Sequence, residues 1–244
     1  MSGEARGIED RQGVLAIIPA RGGSKGLPRK NVLPVCGLPL IVWTVRAALG
    51  ASCIVRTVVS TDDDEIADVA RQAGAEVPFR RPAELATDTA TSADVVAHVL
   101  ESLCWQGPAV LLQPTTPLRT ADDIDTAHTL WRNSGAPSCV SVCEVVESPW
   151  LMFGIDGSGV LQRLLQEPLG GLRRQDLPRA FTLNGVLYFL EGARFLQDRQ
   201  FLHPETVGYT MPACRSVDID TAADMAEAER LMAVWGCDLP EQGE

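Results

Sequence analysis

Lysine is nearly missing from this chain of 244 residues: Lys25 and Lys30 are the only two, although Lys and Arg together number 21. Both stand in one short loop, where a compact ammonium on a flexible stem suits a point-charge clamp on a polyphosphate better than a planar guanidinium fork does. Positive charge is scarce overall. The formal net charge is -11 and the isoelectric point about 4.8. That excludes a broad nucleic-acid or anionic-membrane surface, because tracking phosphates takes Lys and Arg clustered over a whole face. Any phosphate site has to be local.

Metal-ligand and disulfide spacings are also lacking. The cysteines (Cys36, Cys53, Cys104, Cys139, Cys143, Cys214 and Cys237) are odd in number and form no C-x-x-C pair, so they read as small buried hydrophobes and not as a disulfide framework or a zinc site. His98, His128 and His203 are scattered, with no partner at ligand spacing. No apolar run approaches the roughly 18 residues of a membrane span, and a cytoplasmic protein is the expectation. There is no repeat and no low-complexity tract. Residues 1–13 and 238–244 read as polar tails. Between them a chain that is 45% hydrophobic supports one sizeable core over residues 14–237.

What is present is an alternation of strand and helix. Val14-Leu15-Ala16-Ile17-Ile18 is a continuous apolar run, as in a strand buried on both faces. Further strands are expected at 56–60, 109–112, 138–146, 184–190 and 208–211. Helices are expected at 39–49, after Thr61 or Asp62 as cap, at 92–105, 120–133 and 221–235. The order implies right-handed βαβ units: an α/β, Rossmann-like, mostly parallel sheet with helices on both faces. Residues 148–178 are broken by glycines and read as a small inserted arm or lobe.

The first strand runs into Pro19-Ala20-Arg21-Gly22-Gly23-Ser24-Lys25-Gly26-Leu27-Pro28-Arg29-Lys30-Asn31. Its glycine spacing is neither that of a Walker loop nor that of a dinucleotide fingerprint, which argues against a nicotinamide oxidoreductase. Its glycines free backbone N–H groups for phosphate, and Arg21, Lys25, Arg29 and Lys30 converge as cations, which suits a triphosphate. Near the other end, Asp218 and Asp220 flank Ile219. In an extended segment both carboxylates share one face, which suits Mg²⁺. The same Asp-Ile-Asp-Thr also reads as a helix cap, with Asp220 or Thr221 capping.

The opening loop resembles the signature of the acylneuraminate cytidylyltransferase, or CMP-sialic acid synthetase, family. Four further segments match in order: 59–62 (V-S-T-D), 81–92 (R-P-A-E-L-A-T-D-T-A-T-S), 112–119 (L-Q-P-T-T-P-L-R) and 217–221 (V-D-I-D-T). The resemblance implies a nucleotide-diphospho-sugar transferase type of fold and CTP as donor. CMP would pass to a small acidic acceptor with loss of pyrophosphate, and the arm would mediate a homodimer. By it, Arg21, Lys30 and Asp220 are catalytic. Ala20, Arg21, Ser24, Lys25, Lys30, Asn31, Arg81, Ala90 and Ser92 bind the nucleotide, and Asp218 and Asp220 hold Mg²⁺. Gln113, Arg174, Asn184, Tyr188 and Phe201 line the acceptor site.

The resemblance thins around the acceptor: Leu151 stands where some sialate enzymes have a lysine, Thr182 where an arginine is seen, and Leu202 where a second aromatic is seen. A nonulosonic sugar acid is the family's default acceptor. A phosphonate such as phosphonoformate is the alternative, and a non-catalytic nucleotide-binding regulator a more distant one.

Overall fold

The computed structural model describes residues 13–23, 26–165 and 177–235. Strand β1 (Val14–Pro19) lies between β4 (Ile54–Ser60) and β5 (Pro108–Leu112), parallel to both. Its alternation divides the core. Val14, Ala16 and Ile18 face Ile41 and Val45 of α1 (Leu40–Gly50), Ile66 of α2 (Asp64–Gln72), and Ile124 and Trp131 of α4 (Ala121–Ser134). Leu15 and Ile17 face Val96, Val99 and Leu100 of α3 (Ser92–Ser102) on the other side. A strand covered by helices on both faces needs an apolar residue at every position, hence the unbroken run.

The six-stranded sheet is completed by β6 (Ser138–Glu144), β9 (Phe181–Glu191) and β10 (Val207–Thr210), in the order β10-β6-β9-β5-β1-β4. β9 runs antiparallel to both β5 and β6, and the other pairs are parallel. From β1 the chain moves to β4 on one side and later to β5 on the other. The reversal opens a crevice at the carboxyl ends of these strands, where ligands of open α/β sheets bind. Helix α6 (Ala222–Trp235) packs Ala228, Leu231 and Met232 against Val35 and Leu40. A separate hairpin of β7 (Phe153–Ile155) and β8 (Leu161–Arg163) lies within the arm and pairs with no strand of the main sheet. No helix among the described residues is long and apolar enough to cross a membrane.

Several local expectations are corrected. Asp63, and not Thr61 or Asp62, caps α2, accepting from Ile66 N at 3.0 Å. Thr61 is buried, and the Asp62 carboxylate is drawn to Gly22. Helix α3 stops at Ser102 instead of Trp105 because Cys104 takes a left-handed conformation (φ 51°), and Trp105 N then returns to Leu100 O at 2.8 Å, a Schellman closure. Of the two caps expected for α6, Asp220 and Thr221, it is Thr221 that caps, bonded reciprocally with Asp224. The pairing of β2 (Pro34–Val35) with β3 (Leu38–Pro39) and the short helix α5 (Gly192–Asp198) had no periodic signal to announce them.

Candidate active site

At the end of β1, Ala20 N bonds Ser60 O at 3.0 Å and Gly22 N bonds the Asp62 carboxylate at 3.0 Å, so the glycine loop is tied to the end of β4. The loop's cations separate. Arg29 turns back onto the acidic first turn of α2, paired with Asp63 and Glu65, which corrects the expected four-cation cluster; the nearest carboxylates hold it. Arg21 faces the cleft, its guanidinium 2.8 Å from Asp88. Lys30 is 8% exposed and donates to Ile219 O at 2.6 Å and to the Asp220 carboxylate at 2.7 Å. Asn31 donates to Arg21 O at 3.1 Å and so fixes the loop's backbone. Gly26 is required sterically, since a Cβ there would lie 2.2 Å from Asp220 O. Ser24 and Lys25 fall outside the described residues.

Arg81 is buried at the far end of the same cleft. Its guanidinium donates to the hydroxyl of Ser60 at 3.1 Å, to Ser60 O and to Leu85 O, while its backbone N reaches Thr61 O. Burial pushes its pKa down to about 10; Asp62 opposes that shift and Arg21 adds to it. Ala90 and Ser92 border the cleft at the start of α3, whose cap Thr91 forms a box with Asp94. The cleft encloses about 370 Å³ between Arg21, Lys30, Arg81, Gln113 and the two acids.

Ile219 is fully buried and bonds Thr115 O through its N–H at 2.8 Å, so Asp218 and Asp220 project on the opposite side into the cleft. The segment is extended but belongs to no strand. Asp218 is exposed by area, yet protein crowds its carboxyl enough that desolvation raises its pKa; the Thr115 side chain opposes this and Asp220 adds to it.

A second cavity of about 350 Å³ shares Gln113 and Asp218 with the first. Asn184, Tyr188, Thr182, Leu183, Cys143 and Ser216 line it. β9 reaches it through a long break in its ladder with β6. Val140 pairs with Tyr188 and Val142 with Leu183, so Ser141 alone faces residues 184–187. The Ser141 hydroxyl accepts from Leu187 N at 2.9 Å in place of a ladder carbonyl, and Gly185 supplies the left-handed turn (φ 74°). Asn184 donates to Ser216 at 2.8 Å. Burial, with Asp218 nearby, holds the Tyr188 phenol above its usual range. Phe201 does not line this cavity; its ring lies 5.3 Å from that of Tyr188, and it packs with Phe195 in the core. Leu151 and Leu202 are exposed and outside the lining, and Arg174 lies outside the described residues.

Sequence reasoning gave no role to Asp88 or Arg119, and to Asp62 only that of a candidate helix cap. Arg119 is 4% exposed and donates to Thr44 at 2.7 Å, Thr116 at 3.1 Å, Gln113 O at 3.2 Å and Val186 O. It thus clamps the loop after β5 to β9 and α1. The presence of Arg119 and Asp88 inside matched segments was a signal, but which groups they meet is set across the sheet.

A sheet of this topology, with a cationic glycine loop and paired acids at its carboxyl edge, defines an α/β nucleotidyltransferase. Comparison narrows the class. A family model described as cytidylyltransferase matches residues 15–147. The CMP-N,N'-diacetyllegionaminic acid synthase of Legionella pneumophila is 37% identical over 90% of this chain and 96% of its own length. The pseudaminic acid cytidylyltransferase of Campylobacter jejuni is 31% identical over 90% and 96%. The N-acylneuraminate cytidylyltransferase of Streptococcus agalactiae is 34% identical over 86% of this chain and 51% of its own. The chain belongs to the cytidylyltransferase family, enzymes that transfer CMP from CTP. In fold it is similar to a CMP:2-keto-3-deoxy-manno-octonic acid synthetase complexed with CTP (TM-score 0.69, 19% identity, 92% of this chain and 100% of that one). It is also similar to a 4-diphosphocytidyl-2C-methyl-D-erythritol synthase of Anaerococcus prevotii (TM-score 0.66, 10% identity, 91% and 99%).

Proposed function

We propose that the enzyme transfers CMP to the hydroxyl of a nonulosonic sugar acid, with release of pyrophosphate. The observation that carries this reading is the junction of the two cavities at Gln113 and Asp218. One cavity is cationic, with Arg21, Lys30 and Arg81. The other has no cationic side chain among its described lining and offers the amide, hydroxyl and phenol groups that a polyhydroxylated acceptor needs. The relatives named for legionaminic, pseudaminic and neuraminic acids support the same acceptor class.

The acceptor oxygen attacks the α-phosphorus of CTP in line; the new O–P bond forms as the P–O bond to pyrophosphate breaks. Arg21 and Lys30 offset the charge that grows on the leaving group. The proton of the attacking hydroxyl goes to a carboxylate at the seam of the two cavities, which Asp218 lines on both sides. Arg81 and the backbone near Ala90 and Ser92 select cytosine, which presents a carbonyl acceptor and an amine donor.

Asp218 and Asp220 offer hard oxygen donors on one side of an extended segment, and no set of three His, Cys, Asp or Glu among the described residues offers a fuller cage. That donor set fits Mg²⁺, which commonly takes one or two carboxylates and completes its shell with phosphate and water. When bound, the ion supplies charge neutralisation at the triphosphate. The exposed apolar hairpin of the arm supports a homodimer.

The test is to incubate the enzyme with CTP, Mg²⁺ and single acids, and to weigh the products. A CMP conjugate of legionaminic, pseudaminic or sialic acid is expected. Turnover of phosphonoformate and of no sugar acid would replace this reading with the phosphonate one, and CTP binding without any turnover would leave a regulator.

A further inference from the structure

Asp123 is a carboxylate with 1% exposure that the reaction above does not use. It closes the capping box of α4 with Thr120, accepting from Thr120 N and from its hydroxyl, each at 2.9 Å. A cap does not require burial: Asp94 does the same for α3 in the open, and Asp224 for α6 at the surface. A carboxylate taken from water needs further partners, and Asp123 has two. Tyr209 of β10 donates to it at 2.9 Å and Arg215 at 2.7 Å.

Arg215 stands three residues before Asp218, at the end of a short turn (Ala213–Arg215). The next residue, Ser216, meets Asn184; Ile219 N meets Thr115 O, and Lys30 holds Ile219 O and Asp220. The acid-bearing segment is therefore anchored to β9, to the loop after β5 and to the glycine loop, and Arg215 is its charged link to α4. We propose that Asp123, Tyr209 and Arg215 are positioning residues that set Asp218 and Asp220 against the reacting phosphate and the acceptor oxygen.

This rests on the reading of Asp218 and Asp220 as the carboxylates of the reaction. Asp123, Tyr209 and Arg215 bond to one another and to Thr120, not to Arg21, Lys30 or Arg81, so their loss falls on the chemical step rather than on CTP binding. A misplacement of about 1 Å at a reacting group is worth on the order of 100-fold in rate.

The experiment compares Arg215→Met, Arg215→Lys and Tyr209→Phe with the wild type by kcat, by KM and calorimetric affinity for CTP, and by backbone hydrogen exchange over residues 216–221. Arg215→Met is expected to lower kcat about 10- to 100-fold, to leave CTP affinity within about twofold, and to speed exchange in that segment. Arg215→Lys should restore most of the rate. Tyr209→Phe, which removes one hydroxyl and keeps the ring, should lower kcat less with a melting temperature near that of the wild type. A kcat within about twofold of wild type for Arg215→Met overturns the proposal, as does a parallel loss of CTP affinity that Lys does not rescue. If the wild type converts no acid at all, the acceptor reading fails by itself. Unchanged exchange at 216–221 in Arg215→Met then overturns the tether independently.

Discussion

Where the two cavities meet, the Asp218 carboxyl is held above its usual range by desolvation and by its neighbour Asp220. A carboxyl whose pKa is higher in the folded chain than in the unfolded one loses stability as pH rises through that interval, since the unfolded state tolerates the charge better. Asp218→Asn should therefore melt at a higher temperature than the wild type at pH 7. The difference should close as the pH is lowered through the raised pKa and then the ordinary carboxylate range, where both side chains are neutral. The same substitution should lower kcat by about 100-fold, the scale of removing a group that acts on the transition state. Asp220 is paired with Lys30 at 2.7 Å. Asp220→Ala should abolish pyrophosphate release while calorimetry still finds CTP bound, and full activity would sink the assignment of this carboxylate. The two acids were readable from their alternation about Ile219, whereas Asn31, Arg81 and Gln113 were named through the matched segments that carry them. The contacts of Asp62 and Arg119 were not legible, since Gly22 and Val186, the groups they hold, come from distant parts of the chain.

At the level of elements, periodicity reports burial and little else. β1, β5 and the helices α2 and α4 were readable because unbroken apolar runs and spaced apolar faces follow directly from a sheet covered on both sides. The antiparallel course of β9 was not, because direction leaves no mark on composition. The break is equally silent: residues 184–187 look like a continuous strand, and only Gly185 hints that the ladder is broken. Yet the break is what carries Asn184 and Thr182 to the second cavity, the proposed acceptor site. Ser141→Ala removes the acceptor of Leu187 N inside the sheet and should destabilise the chain by about 1–3 kcal/mol, the range for an orphaned buried donor, as read by denaturant unfolding. Because the distortion falls on the acceptor side, KM for the acid should rise while KM for CTP holds. A rise in both would mean that the break serves the whole sheet instead of one cavity.

For the molecule as a whole, the arm poses a packing problem that a single chain leaves open. Ile155, Val160, Leu161 and Leu164 are between 58% and 72% exposed, and Phe153 is 42% exposed, while among the described residues β7 and β8 pair only with each other. A lone two-stranded hairpin is marginal in water and needs a cover, and contiguous exposed apolar residues mark interfaces. The glycines at 154, 157 and 159 made this segment readable as an arm, but its apolar residues follow no long period that could tell what they meet. In the proposed homodimer a second copy of the chain would supply a matching apolar face by symmetry. The pair Ile155→Glu and Leu161→Glu should accordingly shift the protein from dimer to monomer in sedimentation. The melting temperature of the monomer should be little changed, since both side chains are already exposed in one chain. CTP binding should survive, because the cationic cleft is built from β1, β4 and the loops that follow them. A wild type that sediments as a monomer, or a double variant that stays dimeric, would place the interface elsewhere.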